Sequence, residues 1–115
     1  MFIEKWRVDE LSMVLNRIAL ILQAGGQSEW AGVFRHYHEE ADSLSRITPI
    51  EIDKLERLTM NLCACLEDGC SLRNPQLLHE DDRVGTSLLR EYVMLRTRLF
   101  QILADLKNRL RETIH

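Results

Sequence analysis

Between Leu88 and Leu110 an apolar residue returns every three or four positions, and that rhythm restricts the possible folds more than any other feature of the chain. Leu88, Tyr92, Leu95, Leu99, Ile102, Leu106 and Leu110 advance by four, three, four, three, four and four residues. Such steps set all of them on one side of an α-helix. Leu89, Leu103 and Ile114 widen the stripe beyond a coiled-coil seam. The reading is a long C-terminal helix that buries a broad face in a bundle.

Three shorter helices are predicted ahead of it. The first runs from Asp9, an N-cap type, to Gln23, with Leu11, Leu15, Ile18 and Leu22 as its stripe, Val14 and Ile21 beside it, and Gly25-Gly26 as its stop. The second follows Ser28 and ends near Ser45, with Trp30, Phe34, Tyr37, Ala41 and Leu44 at helical spacing. The third has the fullest start signal: Thr48 as N-cap, Pro49 at the first helical position, Glu51 completing a capping box, and Ile47 with Ile52 as a hydrophobic staple. Ile52, Leu55, Leu58, Leu62 and Leu66 form its stripe and Gly69 ends it. Residues 70–83 are the one long connection, broken by Asn74-Pro75. Gly85 then precedes the last helix, with Thr86 or Ser87 as cap. No strand is expected. The fold class is all-α: a four-helix, bundle-like single domain over residues 1–115, with a long loop before the C-terminal helix.

At 115 residues the chain is long enough for one domain with a real core, and its 5 Gly and 2 Pro argue against disorder. The longest apolar run, Ile18 to Leu22, is too short to span a bilayer, and Glu4 and Lys5 break any signal-peptide core. With an odd number of cysteines (Cys63, Cys65 and Cys70), reduced thiols and a cytoplasmic setting are expected, with no membrane partner.

The net charge of −3 is unevenly placed. Residues 1–45 hold 7 acids and 4 bases, residues 46–83 hold 8 and 5, and residues 84–115 hold 3 and 6. Opposite-sign segments either complement each other within the fold or turn an acidic face to a basic partner. Arg90, Arg96, Arg98, Lys107, Arg109 and Arg111 make the last helix basic, but Glu91, Asp105 and Glu112 interrupt the set, so nucleic acid is not the expected partner.

No catalytic constellation emerges. His36 and Glu40 share a helical face and have the spacing to chelate a metal, but His38 points elsewhere, and solvated surface histidines are the simpler reading. Cys63 and Cys65 diverge on a helix and read as small residues near the core, which leaves Cys70 as the thiol in the loop. There is no Ser-His-Asp logic and no glycine-rich phosphate loop, so no enzyme, cofactor or metal is expected. The tightest acid cluster is Glu80-Asp81-Asp82 in the long connection, with Glu67 and Asp68 nearby in sequence. With Glu39, Glu40 and Asp42 it can form a negative surface, or Asp81 and Asp82 can simply compensate the start of the last helix.

The stretch from Leu15 through Ile18, Leu22 and Gly26 to Trp30-Ala31 resembles the opening of a family of small uncharacterised bacterial all-helical domains, in which one helix ends in glycine and the next starts with Trp-Ala. The turn around Gly69-Cys70-Ser71-Leu72-Arg73-Asn74 and the run Leu95-Arg96-Thr97-Arg98-Leu99-Phe100 are similar to later motifs of that family, with Cys70 and Pro75 departing from its pattern. Members resemble small proteins encoded beside bacterial toxins, and the resemblance implies an immunity role. The expectation is a protein-binding module that occludes a toxin's active site. The partner-contact candidates are Glu39, Asp42, Asp68, Glu80, Asp81 and Asp82, facing a basic toxin domain. The alternatives are a homodimer paired through an exposed apolar strip on the last helix, serving as a structural or adaptor module, and a metal-dependent enzyme using His36 and Glu40.

Overall fold

The computed structural model describes residues 3–47, 49–68, 77 and 81–114. They form four α-helices: α1 (Lys5–Ala24), α2 (Ser28–Ser45), α3 (Ile52–Asp68) and α4 (Asp82–Ile114), with no strand among the described residues. The fold is an all-α, four-helix bundle-like arrangement. α1 packs on α2 and α4, and α3 packs on α2 and α4, so the helices close a ring in which α1 faces α3 and α2 faces α4 across the core. At 33 residues α4 is about 50 Å long, and it sets the 49 Å long dimension of the molecule.

The core is the sum of the four stripes. Leu11, Leu15, Ile18 and Leu22 of α1, Phe34 and Leu44 of α2, Leu55, Leu58 and Leu62 of α3, and Tyr92, Leu99, Ile102, Leu106 and Leu110 of α4 are all buried together. The expected stripes of α1 and α3 are therefore found, and that of α4 is found with Leu88 and Leu95 partly covered at its edge. Leu103 widens the α4 stripe as expected, but Leu89 is 37% exposed and does not.

α1 starts one turn earlier than Asp9. Extending it to Lys5 adds Val8 to the stripe, and Val8 is fully buried. Burying a valine stabilises by about 1.5 kcal/mol or more, which exceeds the roughly 1 kcal/mol of an Asp9 cap. Asp9 instead pairs with Lys5 at 3.1 Å. The other end closes as a Schellman motif: Gln27 N–H donates to the Leu22 carbonyl at 2.8 Å and Gly26 N–H to that of Gln23 at 3.3 Å. Gly26 takes φ 84°, which only glycine adopts freely. Gly25 serves a different need. A Cβ there would lie 2.6 Å from Leu77 Cδ2 and 2.9 Å from Leu77 Cβ. Gly25→Ala should therefore lower stability by about 1–3 kcal/mol in urea denaturation, since Leu77 must move off its partly buried site.

The expected start of α3 is corrected. The helix begins at Ile52; Pro49 lies outside it, and Thr48 lies outside the described residues. The first α3 amide bond runs from Leu55 N–H to the Glu51 carbonyl at 3.1 Å, so Glu51 occupies the cap position, not the third helical position. Ile47 is 43% exposed, outside the core that Ile52 packs against. The reason is topological: the chain must reverse between α2 and α3, and Pro49, Ile50 and Glu51 precede the helix as part of that reversal.

α4 also starts earlier than Thr86 or Ser87. Asp81 Oδ1 accepts from Arg83 N–H at 2.9 Å and the Asp81 carbonyl accepts from Gly85 N–H at 3.1 Å. Asp81 is thus the N-cap, and Asp82 sits in the first turn beside the positive end of the helix dipole. Gly85 does not break the helix, because glycine in a helix costs only about 1 kcal/mol.

Tyr92 is the largest side chain of α4 in the core, 1% exposed. Burial pushes its phenol up to about 12, against the pull of the Arg96 guanidinium, with Cys65 adding a small upward push. The folded protein then holds that proton more tightly than the unfolded chain, whose tyrosines titrate near pH 10. Stability from this source is complete below pH 10 and falls as pH rises from 10 toward 12. Between those values Tyr92→Phe should lose stability less steeply than the parent in alkaline denaturant titrations.

Candidate functional site

The chemistry-bearing side chains that the sequence singles out, His36, His38, Glu40, Cys63 and Cys65, are all among the described residues. No group of three or more His, Cys, Asp or Glu side chains there is placed to hold a metal ion. His36 and Glu40 do share a face, where they pair with each other at 2.7 Å on an exposed surface. His38 is not the solvated residue expected: its Nδ1 lies 2.9 Å from the Ser12 carbonyl and 3.0 Å from the Ser12 hydroxyl. With the proton on Nδ1 it donates to that carbonyl and ties α2 to α1. Cys63 and Cys65 are half-buried and packed against the core, as the spacing suggested, while Cys70 lies outside the described residues. No helix among the described residues is long and apolar enough to cross a membrane.

Four of the six acidic candidates are described, two on α2 and two at the start of α4. Glu39 is exposed on α2, and Asp42, on the same helix, pairs with Arg46 at 2.8 Å. Asp81 and Asp82 stand at the start of α4, which lies across the bundle from α2. The Asp68 side chain and Glu80 lie outside the described residues. Asp81 is occupied as a cap, so Asp81→Lys should cost about 1–2 kcal/mol of stability, a loss visible as a lower urea midpoint with or without a partner.

Beside Glu39 a groove of about 480 Å³ opens between α2 and α3. Its α2 bank carries His36, Glu39 and Glu40 and its α3 bank Lys54 and Arg57, with Leu44 and Ile47 nearby. Facing banks of opposite sign make this a polar crevice, with the His36–Glu40 pair on its α2 side.

The charges of α4 sort by face in a way the linear sequence hides. Toward α1, Glu91 pairs with Arg17 at 2.6 Å, Arg98 with Glu10, and Arg109 with Glu4 at 2.9 Å and with Glu112 at 2.8 Å. Asp105 lines a small crevice with Trp6, Arg7, Glu10 and Arg98 of that same flank. Its own backbone amide, then Arg7 and Arg109, hold the Glu4 carboxyl below the usual carboxylate range. The opposite-sign segments therefore do complement each other within the fold. The acids that interrupted the basic set all lie along or beside this seam.

Beside the buried stripe of α4, about 100° around the helix from it, runs a second row whose residues sequence reasoning did not name as a row. It reads Leu89, Val93, Arg96, Phe100, Ala104, Lys107 and Arg111. Leu89, Val93 and Phe100 are 37%, 38% and 48% exposed. The row advances by four, three, four, four, three and four residues, and that second helical rhythm is the signal that could have revealed it.

Compared with family models, curated proteins and solved structures, the chain matches none.

Proposed function

We propose that the chain acts by binding another protein stoichiometrically and not by catalysis, and that it is an immunity protein covering the active site of a cognate bacterial toxin. The observation that supports this reading is the outer row of α4. The core is closed without Leu89, Val93 and Phe100, yet they stand in line on a rigid helix. Single exposed apolar side chains are ordinary, whereas aligned ones with an aromatic among them are the anchors that hold protein interfaces. Two charged surfaces then offer two approaches: Glu39 and Asp42 on α2 suit a basic toxin cleft, and the bases beside the α4 row suit an acidic one.

The test is co-purification with the product of the adjacent gene at low and high salt, followed by an assay of that product's toxicity. The expected result is a one-to-one complex that abolishes toxicity and is weakened by Phe100→Asp or by Glu39→Lys with Asp42→Lys. No complex at either salt removes the immunity reading. In the homodimer alternative a parallel pairing of the row would set Lys107 and Arg111 against their own copies, and an antiparallel one would set them on apolar Val93 and Leu89. Sedimentation at micromolar concentration is expected to show a monomer.

A further inference from the structure

We propose that the outer row of α4 is a docking strip for an acidic amphipathic helix of a partner protein. This deepens the protein-binding reading above and rests on it.

Three observations specify the occupant. The row is apolar over its first half, through Leu89, Val93 and Phe100, and basic over its second, through Lys107 and Arg111, with Arg96 between. The acids of α4 beyond its first turn stand elsewhere: Glu91 is paired with Arg17, Glu112 with Arg109, and Asp105 lies beside Arg7 and Arg98 in the α1 crevice. Lys107 and Arg111 have no ion-pair partner within 4 Å among the described residues. A surface with aligned apolar anchors, positive charge and no acid of its own is complementary to a helix that carries leucine-type residues on one stripe and carboxylates beside it.

Geometry favours a helix over other anions. From Leu89 to Arg111 the strip is about 33 Å long, the reach of a partner helix of about 20 residues. Three side chains that are each less than half exposed make too narrow an apolar face for a helix that lies in a lipid interface. Phosphate recognition calls for bases along the whole track, whereas the first half of this one is mainly apolar. A second copy of the strip would bring its own bases.

The probe is a fluorescent peptide of three heptads with leucine at a and d and glutamate at e and g, titrated by anisotropy against the full chain in about 50 mM salt. The expected result is binding in the micromolar range, weakened at least about tenfold in about 500 mM salt. Lys107→Glu with Arg111→Glu, and separately Phe100→Ser, should each weaken it at least about tenfold while leaving circular dichroism and the urea midpoint close to the parent's. No binding at about 1 mM, or equal binding of the same peptide with lysine in place of glutamate, overturns the proposal. So does tighter binding to vesicles of phosphatidylcholine with phosphatidylserine, or to duplex DNA, lost through the same variants. A toxin complex that survives every α4 variant overturns the strip and leaves the immunity reading standing. Peptide binding without toxin capture does the reverse.

Discussion

Leu99→Asp is expected to leave the chain without a cooperative unfolding transition at room temperature. Leu99 is fully buried near the middle of α4, between Leu95 and Ile102 on the stripe that meets the rest of the ring. Removing a buried leucine forfeits about 2–5 kcal/mol. The carboxylate that replaces it either stays charged without a partner or is protonated in an apolar site, which adds at least a few kcal/mol. The two together approach or exceed the roughly 5–15 kcal/mol by which domains of this size are stable. Far-UV circular dichroism should show lost helicity, and urea titration should show a featureless slope where the parent has a sigmoid.

The second large effect is Phe34→Ala, expected to cost about 3–5 kcal/mol in urea denaturation. α2 buries few large side chains: Phe34 and Leu44 are joined there by Ala31, Ala41 and Ser45, with Trp30 and Tyr37 only partly covered. Phe34 lies on the same face as Ala31 and Ala41, three residues before it and seven after, and neither alanine is long enough to fill the space it would leave. The void should therefore persist, which places the expected loss toward the upper end of that range. Phe34→Leu, which keeps most of the volume, should cost well under half as much.

Periodicity made the fold class legible, because the stripes of α1, α3 and α4 are long and a helix has only one way to bury them. Helix starts were less legible, and each miss has a local cause. Asp9 has cap chemistry but was overridden by the burial of Val8 one turn earlier. The signal at Thr48, Pro49 and Glu51 is complete on paper, yet α3 starts only at Ile52 with Glu51 as its cap, because the chain must first reverse from α2. Gly85 reads as a breaker but sits in the first turn of α4 behind the Asp81 cap. At the candidate surface, residue type alone exposed the acids and bases but not their partners. Which base of α4 meets Glu4, Glu10 or α1's neighbouring groups depends on how α1 lies against α4, and no local pattern encodes that. His38 was misread for the same reason, since its partner Ser12 is 26 residues away.

The account depends most on two adjacent residues of α4 having opposite fates, one in the closed core and the next on a strip left for a partner. Thermal melts of Leu99→Asp and Phe100→Asp, made side by side with the same substitution one position apart, test it most directly. The predicted result is no cooperative melt for Leu99→Asp and, for Phe100→Asp, a midpoint within a few degrees of the parent's, the shift of a loss below about 1 kcal/mol. Two variants that melt alike, both unfolded or both near the parent, would contradict it.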